Sequence, residues 1–142
     1  MVNIRDPASL VILAPETLAQ KAFLPVSIAG PHGLDLVQGT SHAFIACDGQ
    51  AVVVLDIKTG REKSVVCIAG EPDVIWYNTI RQRLYCAVGK PGVIDVIDTQ
   101  SLVLDEEIKT EEGAHTFAFD NIRQLLYAFL PQSCRVAIYE EM

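Results

Sequence analysis

The chain has 142 residues, half of them apolar and a fifth charged, a composition that excludes a disordered segment. Its formal net charge of −7 disfavours nucleic acid or an anionic membrane surface as partner, since both are recognised through clustered Lys and Arg, and neither is expected. The start, Met1-Val2-Asn3-Ile4-Arg5-Asp6-Pro7, lacks the basic and apolar regions of a secretory signal, and no apolar run approaches a membrane span; a soluble chain is expected, with its compartment open.

In chain order, Val2-Asn3-Ile4, Leu10 to Leu13 and Ala22 to Ile28 read as three short strands. Leu34-Asp35-Leu36-Val37 begins a second group, followed by a tight turn around Gly39-Thr40 and the apolar strand His42 to Cys47. Val52-Val53-Val54-Leu55-Asp56 comes next, with Ile57-Lys58-Thr59-Gly60 as its turn. The third group is the best preserved. Gly70-Glu71-Pro72-Asp73 leads into Val74-Ile75-Trp76-Tyr77, an almost wholly apolar strand expected to be buried on both faces. Arg83 to Val88, the hairpin turn Gly89-Lys90-Pro91-Gly92, Val93 to Asp98 and the turn Thr99-Gln100-Ser101 follow. The strand from about Val103 to Lys109 is more charged, as an exposed outer strand should be. Thr116 to Phe119, Leu125 to Phe129 and Val136 to Glu140 repeat the first three of these strands.

The repeat is fixed by Leu10-Val11-Ile12-Leu13-Ala14, Val52-Val53-Val54-Leu55-Asp56, Ile94-Asp95-Val96-Ile97-Asp98 and Val136-Ala137-Ile138-Tyr139-Glu140, at a spacing of 42 residues. A period of about 40 to 50 residues made of short apolar strands marks a radial array of four-stranded antiparallel sheets, a β-propeller. The expected fold is all-β, a single domain with a partial blade over 1–29, blades over 30–69 and 70–111, and a partial blade over 112–142. Propellers close with about 4 to 8 blades, so this ring is incomplete and is expected to be completed by oligomerisation. One specific expectation is that the outer strand at Ala22 to Ile28 of one chain completes the blade that holds Val136 to Glu140 of another.

Gly30-Pro31-His32-Gly33, Leu84-Tyr85-Cys86-Ala87, Val96-Ile97-Asp98-Thr99 and Leu126-Tyr127-Ala128 resemble the repeats of the YVTN-type β-propeller family. Cys86 stands where those repeats usually have Val, and Ala14 and Glu140 where they have Asp. The resemblance implies the fold. It leaves function open, because such repeats occur in lactonase-like enzymes, surface-layer proteins and cofactor-bearing reductase domains, and the haem and copper ligands of the reductases have no matching motif here.

Alignment of the turns entering each innermost strand puts His32, Asp73 and His115 at one repeat position, where they would ring the mouth of a central channel. Imidazole and carboxylate at one height around an axis are competent to hold a divalent metal or another ligand, while a turn His also serves to bond local backbone. Asp56 and Asp98 read as turn-holding carboxylates, Glu106-Glu107, Glu111-Glu112 and Glu140-Glu141 as solvated edge charges, and the aromatic residues as filling between blades. Cys47, Cys67, Cys86 and Cys134 lack zinc or redox spacing; three of the four lie inside apolar strand patterns and read as buried reduced thiols, while Cys134 reads as a strand-start residue with its exposure open.

No nucleophile elbow, phosphate loop, dinucleotide fingerprint or zinc-protease motif is present in the sequence. The function expected is therefore a noncatalytic binding or scaffold module that self-associates and offers His32, Asp73 and His115 to a small ligand or protein, with no cofactor beyond a possible divalent metal. The alternatives are a lactonase-like hydrolase or metal-binding propeller using the same residues to activate water, and a truncated coding sequence that folds only by oligomerising.

Overall fold

The computed structural model describes residues 1–37 and 39–140, and its elements are strands throughout. The first sheet holds β1 (Val2–Ile4), β2 (Ser9–Leu13) and β3 (Gln20–Pro25) in that order. The second holds β4 (Pro31–Leu36), β5 (His42–Cys47), β6 (Ala51–Asp56) and β7 (Arg61–Cys67). The third holds β8 (Pro72–Asn78), β9 (Arg83–Val88), β10 (Val93–Asp98) and β11 (Val103–Lys109). The fourth holds β12 (Phe117–Asp120), β13 (Leu125–Leu130) and β14 (Arg135–Glu140). All pairings are antiparallel between consecutive strands. No described helix is long and apolar enough to cross a membrane.

The turns repeat more faithfully than the residues in them. Leu18, Gly60 and Leu102, each 42 residues from the last, all have positive φ (56°, 70° and 57°). So do Gln50, Gly92 and Cys134 (62°, 92° and 51°), and Gln82 and Gln124 (both 55°). A left-handed residue is what lets the chain reverse tightly between antiparallel strands, and glycine supplies it most cheaply. Here the periodic backbone imposes it on Leu, Gln and Cys as well. Carboxylates hold the same turns: Asp98 Oδ1 accepts from the amides of Gln100 and Ser101 at 3.0 and 2.7 Å, and Asp56 Oδ1 from those of Lys58 and Thr59 at 2.9 and 3.2 Å. Asp120 and Asn78, again 42 apart, do the same at the preceding turn.

The core lies between sheets. Strand alternation gives each sheet two apolar faces, and the clusters join one face of a sheet to the opposite face of the next. Leu10 and Val26 meet Ile45, Val53 and Leu55; Phe44, Val52 and Val54 meet Leu84, Cys86 and Ile97; Tyr85, Ile94 and Val96 meet Phe117 and Leu126. The aromatic residues fill these seams: Phe119 stacks on Tyr85 and Trp76 at centroid distances of 5.4 and 6.4 Å, and Phe44 meets Tyr77 at 5.4 Å.

Several elements differ from expectation. β3 ends at Pro25 rather than continuing to Ile28, because the amide and hydroxyl of Ser27 are captured by the Glu62 carboxylate of β7 at 2.6 and 2.7 Å. The apolar strand β8 is longer than Val74 to Tyr77, and of those four residues only Ile75 is buried; Tyr77 on one side and Val74 and Trp76 on the other are half-buried against the seams. Cys47 and Cys86 are buried but Cys67 and Cys134 are exposed, the first at the end of an outer strand and the second at a positive-φ turn. Glu106 and Glu107 are exposed on β11, whereas Glu111 is an anchor: its Oε2 accepts from the amides of Gln132 and Ser133 at 2.9 and 3.1 Å, tying the third sheet to the turn before β14. Glu141 lies outside the described residues.

Candidate functional site

His32 and Asp73 are each the second residue of a first strand, β4 and β8, and His115 precedes β12 by two residues. Both strands carry an irregularity there. Pro31 pairs with Cys47 and Gly33 with Ala46, which leaves His32 without a partner across the ladder, and the register of β8 with β9 shifts between Pro72 and Ile75. A bulge turns a side chain away from the alternation of its strand, and here it turns these residues toward one another. Gly33 permits the approach: a Cβ at that position would lie 2.8 Å from the carbonyl oxygen of Asp73.

The three residues singled out by the repeat do converge. His32 Nε2 is 3.2 Å from Asp73 Oδ1, and His115 Nε2 is 3.7 Å from Asp73 Oδ2, so one carboxylate stands between two imidazoles. Two further residues extend the row. Arg5 donates to Asp48 Oδ2 and lies 3.4 Å from His32 Nδ1, which is also 3.4 Å from Asp48 Oδ1. Asn3 Nδ2 donates to the carbonyls of His32 and Gly33, both at 3.0 Å, fixing the strand that carries the imidazole.

Arg5 and Asp48 were not singled out from the sequence. Arg5 follows β1 and Asp48 follows β5, the second strands of their blades. A second strand runs antiparallel to the first, so its end returns to the level at which the first strand begins. That relation is the signal that would have found them.

The hydrogen-bond direction at His115 is set by its neighbour. Nδ1 lies 2.7 Å from the carbonyl oxygen of Gly113, which only accepts, so Nδ1 carries the proton. In the neutral ring Nε2 is then a lone-pair acceptor beside Asp73, at a distance too long for a hydrogen bond between them. Arg5 is occupied by Asp48, so the open end of the row offers acceptors: a carboxylate and an imidazole nitrogen, on side chains 36% and 58% exposed. The row is strung out instead of closed around a point, and among the described residues no group of three His, Cys, Asp or Glu is placed to hold a metal ion. A cavity of about 300 Å³ lies elsewhere, between the third and fourth sheets, lined by Tyr85, Val96, Ile108, Phe119, Leu126 and Tyr139 among others.

No family model matches the chain, and no curated protein matches it. Among solved structures it is similar to one described as Kuenenia stuttgartiensis hydrazine synthase, with a TM-score of 0.78 and 19% sequence identity over 94% of this chain and 44% of that one. The chain thus spans less than half the length of that structure. At this identity the likeness shows the fold: an all-β, propeller-like array of antiparallel sheets of three and four strands that does not close. The YVTN-type resemblance has no family model behind it and stays at this coarser level.

Proposed function

We propose that this chain is a noncatalytic binding module, self-associating as a scaffold, whose row at His32, Asp73 and His115 receives a cationic, hydrogen-bond-donating group such as a lysine or arginine side chain of a protein ligand. The observation that carries the reading is the pairing at the open end of the row, where His115 is held by the Gly113 carbonyl with its Nε2 lone pair beside the Asp73 carboxylate. Two acceptors side by side complement an ammonium or guanidinium, and charge-assisted hydrogen bonds are the stronger kind. The net charge of −7 adds long-range attraction for such a ligand.

Isothermal titration with a short Lys/Arg-rich peptide tests this against an Asp/Glu-rich peptide of equal length. The basic peptide should bind and the acidic one should not, and Asp73→Asn should weaken binding at least tenfold. Glu106→Gln with Glu107→Gln, which removes as much or more charge from the outer strand β11, should leave affinity within twofold. Equal losses for both variants would assign the binding to net charge and overturn the site.

A further inference from the structure

We infer that the self-association proposed above, on which this inference rests, is a head-to-tail packing of the open face of the fourth sheet on the open face of the first sheet of a second copy. Each internal seam joins a front face to a back face. The front face is carried at one register position by Leu10, Val52 and Ile94, which are 0%, 1% and 1% exposed; 42 residues after Ile94, Val136 is 57% exposed. Ile138 is 60% exposed where Val54 and Val96 are 3% and 0%, and Phe129 is 50% exposed where Ala87 is 1%. Phe129 pairs with Val136 and Tyr127 with Ile138 across the ladder, so these side chains form one continuous apolar face.

The back face is open at the other end. Val2 pairs with Val11 as Ile45 pairs with Val53, Cys86 with Asp95 and Ala128 with Ala137. Ile45, Cys86 and Ala128 are at most 1% exposed, whereas Val2 is 45% exposed, and Leu13 is half-buried where Leu55 and Ile97 are at most 1% exposed; Phe23, opposite Val11, lies on the same face. The two uncovered faces are therefore one of each kind that the three internal seams bring together. A front face on a back face is a heterologous contact, which builds a ring where the rotation closes. Such packing leaves β3 on β2, whereas donating β3 to the fourth sheet of another copy would break a ladder already formed.

The test is sedimentation of the full chain with variants of each face. The wild type should sediment as an oligomer at micromolar concentration. Val136→Glu with Ile138→Glu should give single chains, and so should Val2→Glu with Phe23→Glu; circular dichroism unchanged from wild type confirms that each still folds. An equimolar mixture of the two variants should form a heterodimer, because one intact front face then meets one intact back face. A monomeric wild type would overturn self-association and this interface together. An oligomer that survives either face variant, or variants that fail to pair when mixed, would overturn the interface alone.

Discussion

The carboxylate of Asp95, in the middle of β10, reaches across the seam between sheets to accept the backbone amide of Ala69 at 2.7 Å, in the segment leaving β7. Asp95 is fully buried, and its Oδ1 has no hydrogen-bond partner among the described residues. The same register position in the second sheet is Val53. Burial raises the Asp95 carboxyl above the ordinary aspartate value of 3.8, against the amide of Ala69, which lowers it, and Glu107 directly opposite on β11 raises it further. Because the folded value is the higher one, the folded chain holds this proton longer than the unfolded chain. Stability from this group is complete below pH 3.8 and is lost as pH rises through the folded value. Asp95→Asn keeps an acceptor for Ala69 and removes the charge, and should raise stability by about 1–2 kcal/mol at neutral pH. Urea denaturation at pH 7.5 and pH 4.5 checks it: the gain should shrink at the lower pH, and a variant less stable at both would show that the ionised carboxylate contributes to the fold.

The turn carboxylates act with the opposite sign. The amide of Ser101, with its hydroxyl, holds Asp98 below the usual carboxylate range, and the amide of Arg123, with its guanidinium, does so for Asp120. Their contribution is present above the ordinary aspartate value and is lost as pH falls through the depressed folded values. Asp98→Ala and Asp120→Ala should each lower the melting temperature by a few degrees at pH 7 and by less at pH 3. A deficit that does not shrink in acid would mean that something other than the ionised turn carboxylate was removed.

Thiol accessibility divides the four cysteines in pairs. Cys67 and Cys134 are exposed, while burial, with Asp48 and Glu62 nearby, pushes the Cys47 thiol up to about 12, and burial with Asp95 opposite pushes Cys86 up as well. Since the thiolate is the reactive species, the buried pair should be inert. Two thiols should react promptly with an aromatic disulfide reagent at pH 8 and four in urea. Prompt reaction of all four in the native chain would contradict the burial of β5 and β9.

Gly33→Ala tests the approach that builds the polar row. The added Cβ would lie 2.8 Å from the Asp73 carbonyl and 3.2 Å from the Ile75 side chain, so β4 and β8 must part. A loss of about 1–3 kcal/mol is expected, with the His32 ring resonances shifted as the contact to Asp73 lengthens. A variant as stable as the wild type, with unshifted His32, would show that the strands are not held together there.

Much of the candidate row was legible because it is periodic. His32, Asp73 and His115 were picked out by position in the repeat, and the structure brings them together. Arg5 and Asp48 escaped because nothing in their own segments marks them; they join the row only because antiparallel second strands end where first strands begin. Glu111 has the look of a solvated charge in its own segment, because the role of its Oε2 depends on a turn about 20 residues away, at Gln132 and Ser133.

By itself the sequence determined the strands and their spacing, since alternation of apolar residues and a 42-residue period are local properties that any sheet of this register must keep. The left-handed turns at Leu18, Leu102, Gln82 and Gln124 were hidden from it, because their residue types do not demand that conformation and the periodic backbone does. Only the tertiary structure decided which of two equally apolar faces is covered. Val52, Ile94 and Val136 are alike as residues, and the first two are buried and the third is exposed because a neighbouring sheet packs on the first two within the chain.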